Sequence, residues 1–373
     1  MTETPKKRVW GRWALLVIII LSILTFFKPF GFGLGIGVIQ PHVQLPAEPV
    51  PPITIMLGVV AGLALLFSIM LKRVEGFFLA AWFVILAVLP LFFGFTWTNT
   101  LTAMVISDTV LLLIAFAIYN AFKSGSLVPK GISGAVEALL EVIYNLTEGT
   151  AGKWARFIFP WFATITLLVL VSNWSELIPG VDSIGVIEHA PAGVHGYAVQ
   201  DLGFAETIVE APDAAEGEHA EAEAESFVLV PFVRALATDL NFTVALALIA
   251  VVMVQVAGIR SQGTRYFTKF WNTGTMFSKP IFGVIDFAVG ILELVSEFSK
   301  VLSFAFRLFG NIFAGAVLLF VIGSLVPVFA QAGFLMLEFF VGLIQAIVFG
   351  MLTMTFMAQA TQGHGEHHEE AHA

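Results

Sequence analysis

Residues 290–315 read GILELVSEFSKVLSFAFRLFGNIFAG. Glu293, Glu297, Lys300, Arg307 and Asn311 stand here among Leu, Val, Ile and Phe, inside a longer run (284–326) apolar enough to lie in a bilayer. A charge at the bilayer centre costs about 2.5–3.5 kcal/mol on insertion scales, so such groups persist where they are paired, hydrated or functional. Placed on a helix at about 100° per residue, Glu293, Lys300, Arg307 and Asn311 fall within roughly 80° of arc, with Glu297 on one flank. A rise of about 1.5 Å per residue sets Glu293 some 21 Å from Arg307, and Asn311 about 6 Å beyond it. The result is a polar stripe through hydrocarbon depth. In the next apolar run, Glu338 and Gln345 are two helical turns apart and also share a face.

A stripe of carboxylate, amine and guanidinium is what ion movement needs. Carboxylates take up and release protons when their surroundings tune their affinity. Water must reach them, because an isolated buried charge is prohibitive. Arg307 keeps its proton at any working pH, which makes it a poor relay and a good electrostatic barrier. The bland alternatives are a static ion pair of Arg307 with Glu297 or Glu338, and a Lys300 that snorkels toward an interface.

The rest of the chain has the composition to match. Of 373 residues, 58% are hydrophobic and 12% charged, against about 25% charged in soluble domains. The expected fold is an all-α polytopic membrane protein of about eight transmembrane helices, at about 10–28, 54–72, 77–96, 103–122, 158–178, 236–258, 284–326 and 333–360. The last two exceed one perpendicular span and are read as long helices that tilt or bend in the membrane. There is no Cys, which excludes disulfides and thiolate metal sites. The formal charge of −9 gathers in one loop and the C-terminal tail, so it is no guide to a partner. No cofactor, metal or nucleic acid is expected.

Orientation follows from basic residues. With eight spans, one side holds Lys6, Lys7, Arg8, Arg12, Lys72, Arg73, Lys123, Lys130, Lys153, Arg156, Arg260, Arg265, Lys269 and Lys279, and the other Lys28 and Arg234. The positive-inside rule makes the rich side, with both termini, cytoplasmic. The first span has the basic start and apolar core of a signal peptide, but Lys28-Pro29-Phe30-Gly31 follows in place of a small-residue cleavage site, and a retained helix is expected.

Three segments differ in kind. Segment 124–157 carries Val136, Leu139, Leu140, Ile143 and Leu146 near helical spacing and is expected to be a cytoplasmic amphipathic helix. Segment 181–232 carries eight acids from Glu206 to Glu225, with Ala and Gly between them, and His189, His195 and His219. It is expected to be a mobile, solvated, non-cytoplasmic loop that aids solubility rather than collecting protons. The tail 361–373, rich in His and Glu, is expected to be disordered and cytoplasmic rather than a metal site.

The run from Ser303 through Arg307 and Asn311 to Gly315 resembles the S-x-x-x-R-L-F-G-N-x-x-A-G signature of subunit a of F-type ATP synthases. Glu293 and Lys300 sit where bacterial members of that family have an acid and a lysine. Residues 343–353, with Gln345, are similar to the family's last helix. Residues 171–180, with Asn173 and Pro179, are similar to its N-x-x-x-L-x-P segment, and Asp239, Asn241 and Thr243 to the polar start of the next helix. The resemblance covers roughly 101–360. It leaves 1–100, with about three spans, as an N-terminal extension that matches no part of the pattern.

The resemblance implies a bacterial-type stator channel in the cell's inner or plasma membrane, partnered by a ring of c subunits, b subunits and the F1 sector. The last two helices would curve along the ring. It implies two aqueous half-channels that carry protons to and from ring carboxylates, with Arg307 preventing a short circuit between them. Asn311, Glu338 and Gln345 would line the non-cytoplasmic side; Glu293, Ser296, Glu297 and Lys300 would lie toward the cytoplasm. Many relatives have an acid or histidine nine residues after the arginine, where this chain has Ala316, so Glu338 is left to carry the inlet role alone.

Two other classes are weighed on the residues. A secondary transporter working without a ring would show internal repeats and paired broken helices, and no convincing repeat is present. An enzyme reading rests on Gly149–Trp154, which resembles a phosphate-binding loop, but the first glycine is misplaced and Trp154 replaces Ser/Thr. The chain is not expected to be catalytic by itself.

Overall fold

The structure is a computed structural model, and it describes residues 97–123, 132–178, 184–190, 197–201, 206–209, 227–270, 280–325 and 329–362, with 81, 84 and 181 as isolated positions. The elements in chain order are α1 (Asn99–Lys123), α2 (Ile132–Ala151), α3 (Ala155–Glu176), β1 (Gly185–His189), β2 (Ala198–Asp201), β3 (Glu206–Val209), β4 (Phe227–Pro231), α4 (Leu240–Gln262), α5 (Pro280–Leu325) and α6 (Phe329–Thr361). Among the described residues, five apolar stretches are long enough to cross a membrane. They fall on five of the eight expected spans. The first three expected spans and the histidine-rich tail lie outside the described residues.

Helix α5 has 46 residues and α6 has 33. At about 1.5 Å per residue both are longer than the roughly 30 Å hydrocarbon layer, as their apolar lengths suggested. Helix α2 begins inside the segment expected to be a single surface helix, and ends where Gly152 takes φ 50°. That conformation suits glycine. A short turn, Gly152–Trp154, then leads into α3. The glycines of the phosphate-loop look-alike thus belong to an α2 end and a corner between helices.

The chain divides into two compact units. In the larger, Ile165 and Val169 of α3, Ala247 and Ala250 of α4, Phe304, Ala305, Leu308 and Ile312 of α5, and Ala346 and Phe349 of α6 form one buried cluster. Alanines at the crossings let backbones approach closely, which drives helix association in lipid better than bulk apolarity does. Gly350 serves the same end: a methyl group there would overlap Thr166 and Phe162. Where α1 and α4 begin, Thr100 donates to Asp239 at 3.1 Å, and Asp239 caps α4 by accepting from the Asn241 N–H at 2.9 Å. Where α4 and α6 end, the Gln262 amide donates to the carbonyls of Ala360 and Gln362 at 3.0 and 3.1 Å. Arg260 lies over the Phe157 ring at 4.7 Å, so the basic residues starting α3 and ending α4 share one end.

The expectation of a structureless loop at 181–232 is corrected within its described parts. In the smaller unit β2 and β3 pair antiparallel from Ala198↔Val209 to Asp201↔Glu206, and β1 pairs with β4. Short alternations at the margins of the acidic run explain this: Ile208, Val228 and Val230 are buried, and His189 lies 4.7 Å from the Phe227 ring. The average composition hid them. The acidic centre, 210–226, lies outside the described residues.

Candidate functional site

The polar stripe of α5 resolves into two different settings. In its N-terminal half, Lys269 Nζ lies 2.6 Å from Glu293 Oε1 and 3.1 Å from Glu297 Oε1, and Lys300 Nζ lies 2.8 Å from the same Glu297 oxygen. Two carboxylates one turn apart repel on a helix; here an ammonium from another element bridges them. Glu297 is buried, Glu293 partly exposed. Lys300 does not snorkel freely: it is paired and sits over the Phe356 ring at 4.9 Å. Ser296 is exposed on α5 and makes none of these contacts.

Lys269 reaches α5 because the connector after α4 is held in place. It turns at Gly263, φ 63°, and winds as a 3₁₀ turn to Lys269. Tyr266 is buried, its ring pressed on Gly258, where a methyl group would overlap it. Its hydroxyl donates to Gln255 at 2.8 Å. Farther on, the Phe270 carbonyl lies against Gly290, leaving no room for a side chain. Lys269 counted in the sequence only as an orientation charge. It lies far from Glu293 along the chain, and no periodicity links them; the glycine pair Gly258 and Gly290 was the available hint of close approach.

Arg307 is exposed, and its Nη2 donates to Ser303 Oγ at a long 3.4 Å. Among the described residues it pairs with neither Glu297 nor Glu338, so the static ion pair is not formed. Asn311, one turn on, donates to Gln345 Oε1 at 2.6 Å and ties α5 to α6. Glu338 and Gln345 are both buried on α6, as their spacing indicated. The Glu338 carboxyl lies directly on Gly315, in the space a side chain would fill. Asn173 of α3 donates to the Gly342 carbonyl, between Glu338 and Gln345, at 3.2 Å. Beside it Trp174 donates to the Phe339 carbonyl and stacks on the Phe339 ring at 4.5 Å. Among the described residues, Glu338 Oε1, Gln345 Nε2 and Asn173 Oδ1 are buried without a hydrogen-bond partner. This is one carboxylate among neutral amides, a donor and acceptor set suited to passing a proton through water.

Residues 100–358 match the family described as ATP synthase A chain. This chain belongs to that family. It is 30% identical to ATP synthase subunit a of Campylobacter jejuni (serotype O:6) over 261 residues, 68% of this chain and 89% of the relative. It is 28% identical to ATP synthase subunit a of Mycobacterium bovis over 277 residues, 72% of this chain and 90% of the relative. The family is a membrane, proton-translocating subunit of the ATP synthase and is not catalytic alone. As a subunit a, the chain is a multi-pass protein of a bacterial membrane. The match begins at the start of α1.

Proposed function

We propose that the chain is the stator channel of the Fo sector, with two half-channels that meet beside a c ring and Arg307 as the barrier between them. The observation that carries this reading is Arg307 itself. It projects from an exposed face of α5 that also carries Ser303, Ala314 and Leu318, with Phe306 to one side, without a carboxylate of its own chain among the described residues. A fixed cation on an apolar surface calls for an anionic partner from outside, and a carboxyl-bearing ring supplies one.

In this reading Glu338, Asn311 and Gln345 line the inlet on the non-cytoplasmic side, and Glu293, Ser296, Glu297 and Lys300 the outlet toward the cytoplasm. The basic ends of α3 and α4 share the outlet's side, which supports a cytoplasmic location for it and, with it, for both termini. Residues 101–360 form the channel domain, 1–100 an extension of about three spans, and 361–373 a cytoplasmic tail. The b subunits and the F1 sector complete the assembly in the inner or plasma membrane. Arg307→Ala is expected to abolish ATP-driven proton pumping in inverted vesicles while the chain stays inserted and bound to the ring. Pumping near the wild-type rate in that variant overturns the barrier role.

A further inference from the structure

The channel reading gives Lys269 no task, yet its ammonium makes the shortest ion pair of the α5 stripe and reaches two of its carboxylates. Its Nζ contacts Glu293 at 2.6 Å and Glu297 at 3.1 Å. It lies over the Phe270 ring at 5.4 Å and the Tyr266 ring at 5.9 Å. Facing it from α5 are Glu293, Glu297 and Lys300; α6 contributes Phe356 under Lys300; the Tyr266 hydroxyl is turned away to Gln255. With Lys269 the four charges of the cluster sum to zero. Without it two carboxylates, one turn apart, share Lys300, which contacts Glu297.

The connector is built to deliver that ammonium. Gly258 and Gly290 are the two places where it presses on α4 and α5, and each lacks room for a methyl group. A lysine on a loose loop would hydrate and leave; this one is held on both sides of its own residue, by Tyr266 before it and Phe270 after it.

We propose that Lys269 is a positioning residue of the outlet: by bridging Glu293 and Glu297 it keeps the two carboxylates together and sets the pH range over which they release protons. This rests on the reading of Glu293 and Glu297 as outlet groups. The direction follows from charge. Removing a cation strengthens a neighbouring carboxylate's hold on its proton, so the outlet empties only at higher pH on its own side. Lys269 itself carries no proton along the path.

The test uses the whole ATP synthase in inverted vesicles, whose outer face is the cytoplasmic one. With F1 stripped off, proton conductance is driven by a potassium diffusion potential and measured against external pH for wild type, K269M, K269Q and K269R. ATP-driven pumping of Arg307→Ala is measured alongside in unstripped vesicles. K269M is expected to conduct about fivefold less at neutral pH, with an optimum moved up by roughly one pH unit, the size produced by losing an opposite charge at contact. K269R is expected to restore the wild-type optimum. K269Q keeps the side chain's polarity and is expected to shift as K269M does; it is read in its place if K269M does not accumulate. Wild-type optima in K269M and K269Q, with pumping lost in Arg307→Ala, overturn the role of Lys269 and leave the channel reading intact. A pH-independent loss shared by K269R, or absence of all three variants from the membrane, makes Lys269 a structural clasp and also overturns it. Wild-type pumping by Arg307→Ala instead removes the channel reading on which the proposal rests.

Discussion

The two halves of the α5 stripe solve one problem in opposite ways. Around Glu293 and Glu297, charge is kept in an apolar setting by more charge: two carboxylates and two ammoniums within contact of one another. Among the described residues, Glu338 makes no ion pair. The carboxyl rests on bare glycine backbone at Gly315, with the amides of Asn173, Asn311 and Gln345 nearby. A carboxylate paired with an ammonium gives up a proton readily and resists taking one, because protonation strands the cation. A lone carboxylate among neutral amides changes protonation at less cost to its neighbours. In the channel reading the first region is the outlet, where paired ammoniums favour proton release, and the second is the inlet, where Glu338 takes protons up, with Arg307 exposed between them.

Substitutions can break this contrast. The largest effect is expected for Glu338→Gln, which removes the buried carboxylate of its region. ATP-driven pumping should fall at least about tenfold, equivalent to roughly 1.4 kcal/mol in the barrier, and far more than for Glu216→Gln in the acidic segment. Equal effects would argue against an inlet at Glu338. Next comes Gly315→Leu. Its side chain would occupy the carboxyl's place, and a loss close to that of Glu338→Gln is expected in vesicles that retain the chain. Normal pumping would mean that the position of Glu338 is not critical.

Gln345→Leu tests the amides. It leaves the Asn311 amide without its 2.6 Å acceptor, and a fall of about fivefold is expected, in line with about 1 kcal/mol for one hydrogen bond. The smallest effect is expected for Glu297→Gln. Glu293 keeps Lys269, Lys300 keeps an amide oxygen as acceptor, and conductance should fall about twofold. A loss from Glu297→Gln larger than that from Glu338→Gln would invert the comparison.

Much of this was legible in the residues. Five helices follow from apolar length alone, and Glu338 and Gln345 share a buried face because seven residues make two turns. The spacing of Arg307 and Asn311 placed both on one side of α5. What the spacing could not supply was contact between distant segments. Nothing in a local period announces that Lys269 reaches two turns of α5, or that Gly315 is the floor under Glu338; both depend on how closely helices approach. The strands escaped for a different reason. Stretches of four or five residues such as β3 and β4 bury a few aliphatic groups, and their signal is swamped when averaged with the acids between them. Asp108, a half-buried carboxylate within α1, stands in an expected span with no second charge at helical spacing to mark a stripe.

The length of α5 has a geometric consequence. Forty-six helical residues extend about 69 Å, more than twice the depth of the oily layer, so the axis must run aslant if its ends are to stay near the surfaces. Along a slanted axis, the separation of Glu293 from Arg307 is partly sideways. In the channel reading, where a ring turns in the plane, sideways distance is angle, so the same ring position would meet the two groups at different moments of a revolution. The slope of a single helix thereby converts an order of residues into an order of events.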